Sequence, residues 1–201
     1  ASSMAAQVPA GPNAPVAAAN GDTLYVTNNS NGVFVNGIKV TEADVKASNG
    51  VIHVIGNVLM PPAGNIVQMA QADTNLSYLV AAVLRANLQG ALSGSGPFTV
   101  FAPTNAAFRA AGFPTIASIQ AADVNTLTSI LTYHVIGARV FSSDLTDGEQ
   151  ATTLNGEKVT IGLMSGATVK GMSNVSPSNI IATNIVATNG VIHMIDKVLL
   201  P

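Results

Sequence analysis

An α+β architecture, with helices and strands in separate stretches of chain, follows from three observations. Helical spacing is confined to residues 65–134, short apolar runs joined by tight turns fill the rest, and one strand-like segment occurs twice. The repeat is Asn49-Gly-Val-Ile-His-Val-Ile-Gly-Asn-Val-Leu-Met-Pro61, which returns 140 positions later as Asn189-Gly-Val-Ile-His-Met-Ile-Asp-Lys-Val-Leu-Leu-Pro201 with nine of thirteen positions identical. One structural unit therefore ends twice. The 140 residues between the ends suit one domain, whereas only 61 precede the first end, so the chain is expected to start inside a domain.

The elements read as follows. Residues 1–19 carry Pro9, Gly11, Pro12 and Pro15 among alanines without any period, and read as an extended arm or linker able to order by pairing. Leu24 to Val26, Val33 to Val35 and Ile38 to Val40 are short strands punctuated by Asn28-Asn29-Ser30-Asn31-Gly32 and Asn36-Gly37, the latter supplying the positive φ of a hairpin turn. Val51 to Leu59 is apolar on both alternations, as in a strand covered on both faces. After Pro61-Pro62-Ala63-Gly64, the residues Leu76, Leu79, Val80, Val83, Leu84, Leu88 and Leu92 form one amphipathic stripe capped at Asp73 or Thr74. Phe98 to Phe101 is a buried strand, and Pro103 and Thr104 open a helix carrying Ala107 and Phe108. A third helix, capped near Ala122 or Asp123, aligns Leu127, Ile130, Leu131 and His134. Strands and turns then run through Asn155-Gly156, Val159 to Leu163, Ala167 to Met172 and Ile180 to Val186 to the closing strand from Val191 to Leu199. Residues 20–62 parallel residues 155–201 but have no counterpart of the helices.

Composition narrows the function classes. Eight basic and ten acidic residues leave a net charge of -2, and 9% of the chain is charged, so there is no electrostatic footprint for nucleic acid or anionic membrane. An apolar content of 48% indicates a folded chain. No apolar run reaches the roughly 18–20 residues of a membrane helix. Without cysteine there are no disulfides or thiolate metal sites. The start at Ala1 fits removal of a secretory signal.

No catalytic, cofactor or metal site is expected. His53, His134 and His193 lie in apolar surroundings with no second ligand at metal spacing, and read as buried imidazoles bonded to backbone groups. Asp144, Asp147 and Glu149 around Gly148 do not match an EF-hand loop and read as a solvated turn. There is no Gly-x-Ser-x-Gly elbow, and Gly94-Ser95-Gly96-Pro97 lacks the lysine of a phosphate loop. Asn28, Asn75 and Asn174 begin Asn-x-Ser sequons, of which Asn75 also suits helix capping. Tyr133, at a helix-to-strand junction, reads as a core aromatic with a bonded hydroxyl.

Three blocks, Thr99-Val-Phe-Ala-Pro-Thr-Asn-Ala-Ala-Phe108, Tyr133-His134-Val135 and Asn189-Gly-Val-Ile-His-Met-Ile-Asp-Lys-Val-Leu200, together resemble the fasciclin family and its FAS1 domain. The match covers residues 64–201, and residues 20–62 resemble the tail of a second such domain. The resemblance implies a wedge of about 130–140 residues, a β-sandwich flanked by N-terminal helices. It implies a secreted or surface location, and adhesion to other proteins, matrix components or copies of the same chain. By resemblance to animal members, candidate adhesion residues are Tyr133 and His134 with Val135 and Ile136, and a pentapeptide matched by Ala182-Thr183-Asn184-Ile185-Val186. Asn184 stands there where the family has Asp, whereas the partial segment Glu42-Ala43-Asp44-Val45-Lys46 keeps the acid at Asp44.

The expected function is thus non-enzymatic extracellular adhesion or assembly. A partial domain would expose strand edges and an apolar face, with Val33, Val35, Ile38 and Val40 as candidate assembly residues, and docking on the next copy would give a head-to-tail filament. The alternative is a carrier of an apolar small molecule such as a carotenoid, held by Met69, Leu76, Leu79 and Val83.

Overall fold

The computed structural model describes residues 3–201. It divides into two compact units, the first holding the residues through Pro61 together with Val140–Asp144, the second Pro62–Arg139 and Leu145–Pro201.

The first unit is an antiparallel meander of β1 (Gly11–Ala17), β2 (Thr23–Asn29), β3 (Gly32–Val35), β4 (Ile38–Ala47) and β5 (Gly50–Ile55), adjacent in that order. The proline-bearing arm is thus a strand rather than a linker over Gly11–Ala17. Pro12 and Pro15 donate no ladder hydrogen bond, and β1 is an edge strand, where that loss is tolerated. The β3–β4 turn is Asn36-Gly37, with φ of 49° and 78°, the two positive values that a tight hairpin requires. Asn36 is buried; its N–H donates to the Tyr25 carbonyl and its Oδ1 accepts from the Tyr25 N–H, each at 2.8 Å. Val140–Asp144, expected within the complete domain, belongs to this unit through specific contacts. The Thr27 hydroxyl donates to Asp144 at 2.6 Å, Asn29 Nδ2 donates to the Ser143 carbonyl, and the Tyr25 and Phe141 rings lie 6.1 Å apart.

The second unit begins with α1 (Ile66–Ala72), α2 (Ser77–Arg85) and α3 (Gln89–Leu92). Here the single helical stripe expected over residues 76–92 is corrected. Asn87 takes a left-handed φ of 58° and ends the helical run, a conformation that asparagine tolerates better than other side chains. Leu76, Leu79, Val83 and Leu92 still face the core, and Leu84 is exposed. The short α1 escaped the periodicity, although Asn65 and Gln68 form a reciprocal capping box at its start. Asp73, not Asn75, caps the turn before α2, accepting from the Asn75 N–H.

Next come β6 (Phe98–Pro103), α4 (Asn105–Ala110) capped by Thr104, α5 (Ile116–Gln120) capped by Thr115, and α6 (Val124–Tyr133) capped by Asp123. They are followed by β7 (Val135–Ile136), β8 (Gln150–Thr152), β9 (Lys158–Gly162), β10 (Thr168–Lys170), β11 (Ser178–Ala187) and β12 (Gly190–Ile195). The sheet order is β7-β6-β12-β11-β10-β9-β8, antiparallel throughout except that β6 and β12 run parallel. Every residue of β12 is buried. Ile192 and Met194 join the cluster formed by Ile66, Val67, Leu79, Val83, Leu127 and Leu131 of the helices. Val191, His193 and Ile195, on the opposite alternation, are also enclosed, with the His193 ring 5.9 Å from that of Phe101. A helical layer against one face of a largely antiparallel sheet makes this an α+β fold.

The two sheets correspond. The first unit's order β1-β2-β3-β4-β5 matches β8-β9-β10-β11-β12 and stops where the second unit adds β6 and β7.

Candidate protein-docking surface

The repeated segment folds into the same hairpin twice. In β4–β5 the partners are Val40↔Ile55, Glu42↔Val54, Val45↔Ile52, Lys46↔Val51 and Ala47↔Gly50; adding 140 to each number gives the pairs of β11–β12, bulges included. At the bulge, Asp44 and Asn184 both adopt left-handed φ, 61° and 60°. The backbone N–H of each donates to Nδ1 of the facing histidine, His53 or His193, at 3.3 Å in both copies. With Nδ1 accepting, the proton of His53 sits on Nε2, which donates to the Ser3 carbonyl at 2.8 Å. The repeated histidine thus holds a β-bulge in place. The Asp44 carboxylate is engaged as well, accepting from the Ala5 N–H at 2.8 Å.

What differs is the surroundings. In the second unit the Asn189 side chain accepts from the Ile66 N–H at 2.9 Å and donates to the Leu92 and Gly94 carbonyls, tying the β11–β12 turn to both ends of the helical layer. The buried Arg139 guanidinium donates to the carbonyls of Ala187, Thr188 and Gly190 around the same turn. Neither role was legible in sequence, because the bonds span about fifty to more than a hundred residues.

In the first unit nothing comparable lies over the hairpin among the described residues. Ile52 is 54% exposed and Val54 41%, where their counterparts Ile192 and Met194 are 1% and 9%. Val58 and Met60 are exposed too, and Asn49 is open to solvent. The expectation that Val51 to Leu59 is covered on both faces is therefore corrected: β5 is a sheet edge without a helical layer. The candidate assembly residues Val33, Val35, Ile38 and Val40 are half-buried on β3 and β4. The more exposed apolar residues of this hairpin are Ile52 and Val54 on β5, with Val58 and Met60 after it.

The other candidates lie elsewhere. Tyr133, His134, Val135 and Ile136 are all buried at the junction of α6 and β7. The Tyr133 hydroxyl donates to the Lys158 carbonyl at 2.6 Å and accepts from the Met172 N–H at 2.9 Å, and burial raises its pKa. His134 Nδ1–H donates to the Ile130 carbonyl at 2.7 Å while Nε2 accepts from the Leu199 N–H at 2.9 Å, and burial pushes its pKa down to about 4. Tyr133→Phe is expected to cost about 1–3 kcal/mol by leaving the Lys158 and Met172 backbone groups unpaired. Chemical denaturation checks it, and an unchanged midpoint would mean that water replaces the hydroxyl. Asn184 and Ile185 are half-buried on β11, with Ile185 packed on the core.

Asp144, Asp147 and Glu149 each serve separate backbone bonds, to the N–H groups of Phe141, Leu163 and Thr146. No group of three metal-ligating side chains occurs among the described residues, and no described helix is long and apolar enough to cross a membrane. Leu76, Leu79 and Val83 fill the core and Met69 packs against it. The groove lined by Ile66, Val67, Ala70, Leu79, Val83 and Val100 has a cavity volume of about 20 Å³, room for roughly one water molecule.

Comparison with known proteins agrees with this architecture. The family model described as Fasciclin domain matches residues 2–61 and again 74–201. Protein sll1483 of Synechocystis is 40% identical over 149 residues, covering 74% of this chain and 79% of that protein. Human periostin is 33% identical over 180 residues, which is 89% of this chain but only 21% of periostin. The solved FAS1 domain pair from the insect cell adhesion molecule Fasciclin I superposes with a TM-score of 0.61 at 22% identity, covering 89% of this chain and 68% of that one. With both hairpins, the helical layer and the family match in agreement, the chain belongs to the fasciclin (FAS1) domain family.

Proposed function

We propose that the chain is a non-enzymatic adhesion module working outside the cell or at its surface, through contacts with other proteins or matrix components. One observation carries this reading: the apolar face of Ile52, Val54, Val58 and Met60 is exposed in the first unit, while the same positions except the last are buried in the second. An uncharged stretch runs from Ala47 to Ala72, so this face attracts by burial of apolar area rather than by charge. Kinship with a solved cell adhesion molecule supports it. The homotypic form of the reading is a head-to-tail filament in which this face seats on the next copy.

The test is attachment of cells or matrix proteins to surfaces coated with the chain, comparing it with the double variant Ile52→Lys, Val54→Lys. Attachment that falls at least about ten-fold in the variant, a loss on the order of 1.4 kcal/mol, is expected. Equal attachment by both proteins removes this face from the function. Sedimentation over a concentration series reads the filament, and a monomer at every concentration rejects the homotypic form.

A further inference from the structure

We infer that Asn31 is a site of self-modification, at which the backbone nitrogen of Gly32 attacks the Asn31 side-chain amide and the β2–β3 turn gains a carboxylate without an enzyme. The steps balance with water as the only co-reactant. The Gly32 nitrogen bonds to Asn31 Cγ, the Cγ–Nδ2 bond breaks, and the amide leaves as ammonia carrying the proton from Gly32. This closes a cyclic imide. Water then opens the imide at either carbonyl, giving Asp by one route and isoaspartate, with the backbone running through the former side chain, by the other.

The dipeptide that permits this, Asn followed by Gly, stands at Asn20, Asn31, Asn36, Asn49, Asn155 and Asn189. Glycine has no Cβ to hinder the attacking nitrogen and the widest backbone freedom, so all these pairs share the same local chemistry. The fold separates them. Asn20 donates from Nδ2 to Asp22 at 2.6 Å and accepts at Oδ1 from the Asp22 N–H, while the Gly21 N–H is held by the Ala18 carbonyl. Asn36 is buried, with Oδ1 fixed by the Tyr25 N–H. Asn155 Oδ1 accepts from the Thr153 hydroxyl and the Glu157 N–H, and the Gly156 N–H donates to the Thr153 carbonyl. Asn189 is buried and bonded through both ends of its amide.

Asn31 lacks these restraints. It is exposed at the turn, and its side chain makes no hydrogen bond among the described residues; only its backbone N–H is engaged, donating to Asn29 Oδ1 at 2.9 Å. A Cβ at Gly32 would meet only Cε of the exposed Lys39, at 3.5 Å, so no packed side chain obstructs the imide. Asn29↔Gly32 is the last pair of the β2–β3 ladder, where a hairpin opens first and frees the attacking nitrogen. Asn49 is exposed too, but its counterpart Asn189 is enclosed, so the inference is confined to Asn31. The β2–β3 turn has an open counterpart, the turn between β9 and β10, where Met164 is 90% exposed. Between Asp22 and Lys39 the chain carries no charge, so conversion places a lone carboxylate on this hairpin.

The full chain, folded and in urea, is incubated at mildly alkaline pH in heavy-oxygen water, which labels every carboxylate formed during the incubation. Digestion and tandem mass spectrometry then follow each Asn-Gly pair separately. In urea all the pairs are expected to convert at similar rates. In the fold Asn31 is expected to convert at least about ten-fold faster than Asn36, which must first break its bonds to Tyr25, and to give isoaspartate together with Asp. Conversion at Asn31 no faster than at Asn36 in the folded chain overturns the inference. So does conversion to Asp alone, because direct hydrolysis of the amide passes through no imide.

Discussion

Gly190→Ala is expected to destabilise the second unit by about 3–5 kcal/mol, near the upper end for a single substitution, whereas Gly50→Ala changes stability by less than about 0.5 kcal/mol. The two glycines occupy equivalent places in a repeat whose first five residues are identical. At Gly190 the added methyl meets both the Phe98 backbone and Ile66 Cδ1, so β6 and β12 must separate and the Ile66 side chain must also move. Both adjustments disturb the centre of the core, where Val100, Ile192 and Leu79 are packed. At Gly50 the methyl meets nothing. All the α-helices lie in the second unit, so circular dichroism at helical wavelengths during urea denaturation reports that unit directly. A tolerated Gly190→Ala would mean that the parallel pairing of β6 and β12 is loose enough to admit a methyl group.

Acidification from pH 6.5 to 4 is expected to remove about 3 kcal/mol of stability through His134 alone. The sign follows from its environment. Enclosed between the Ile130 carbonyl and the Leu199 N–H, the ring is neutral in the fold, with a pKa of about 4 against the 6.5 of a free imidazole. Above pH 6.5 both folded and unfolded states hold it neutral, and its full contribution is present. Between 6.5 and 4 the unfolded chain binds a proton that the folded chain refuses, so stability falls by up to about 1.4 kcal/mol per pH unit. Below 4 the loss levels off. Comparing the pH dependence of the unfolding free energy with that of His134→Gln isolates this residue, since glutamine offers a donor and an acceptor but no titration. Identical slopes in the two proteins over this window would show that His134 is not the group responsible.

Local chemistry was read correctly where neighbours in sequence make the structure. Asn36-Gly37 is a tight hairpin turn, Thr104 and Asp123 cap their helices, and the three histidines bond to backbone groups as expected, although His53, unlike His134 and His193, is only half-buried because no helical layer covers its strand. The misses arose where local signals were short or in conflict. Helices α1 and α5 span only 7 and 5 residues, too few to show a period. Prolines argued against β1 until its place at the sheet edge removed the objection. Apolar spacing continued across Asn87, although the backbone there does not.

The amino-acid sequence by itself determined that the chain ends the same structural unit twice, and with it the hairpin, the bulge and the histidine that anchors it, all reproduced at an offset of 140 residues. Only the tertiary structure decided which copy is enclosed. Hydrogen bonds across a hairpin form between residues close in sequence, but burial depends on what else the chain brings to the same place. Asn189, Gly190 and Ile192 meet a helical layer and a parallel strand, while Asn49, Gly50 and Ile52 face solvent. The same residues therefore make a core strand in one unit and an exposed sheet edge in the other.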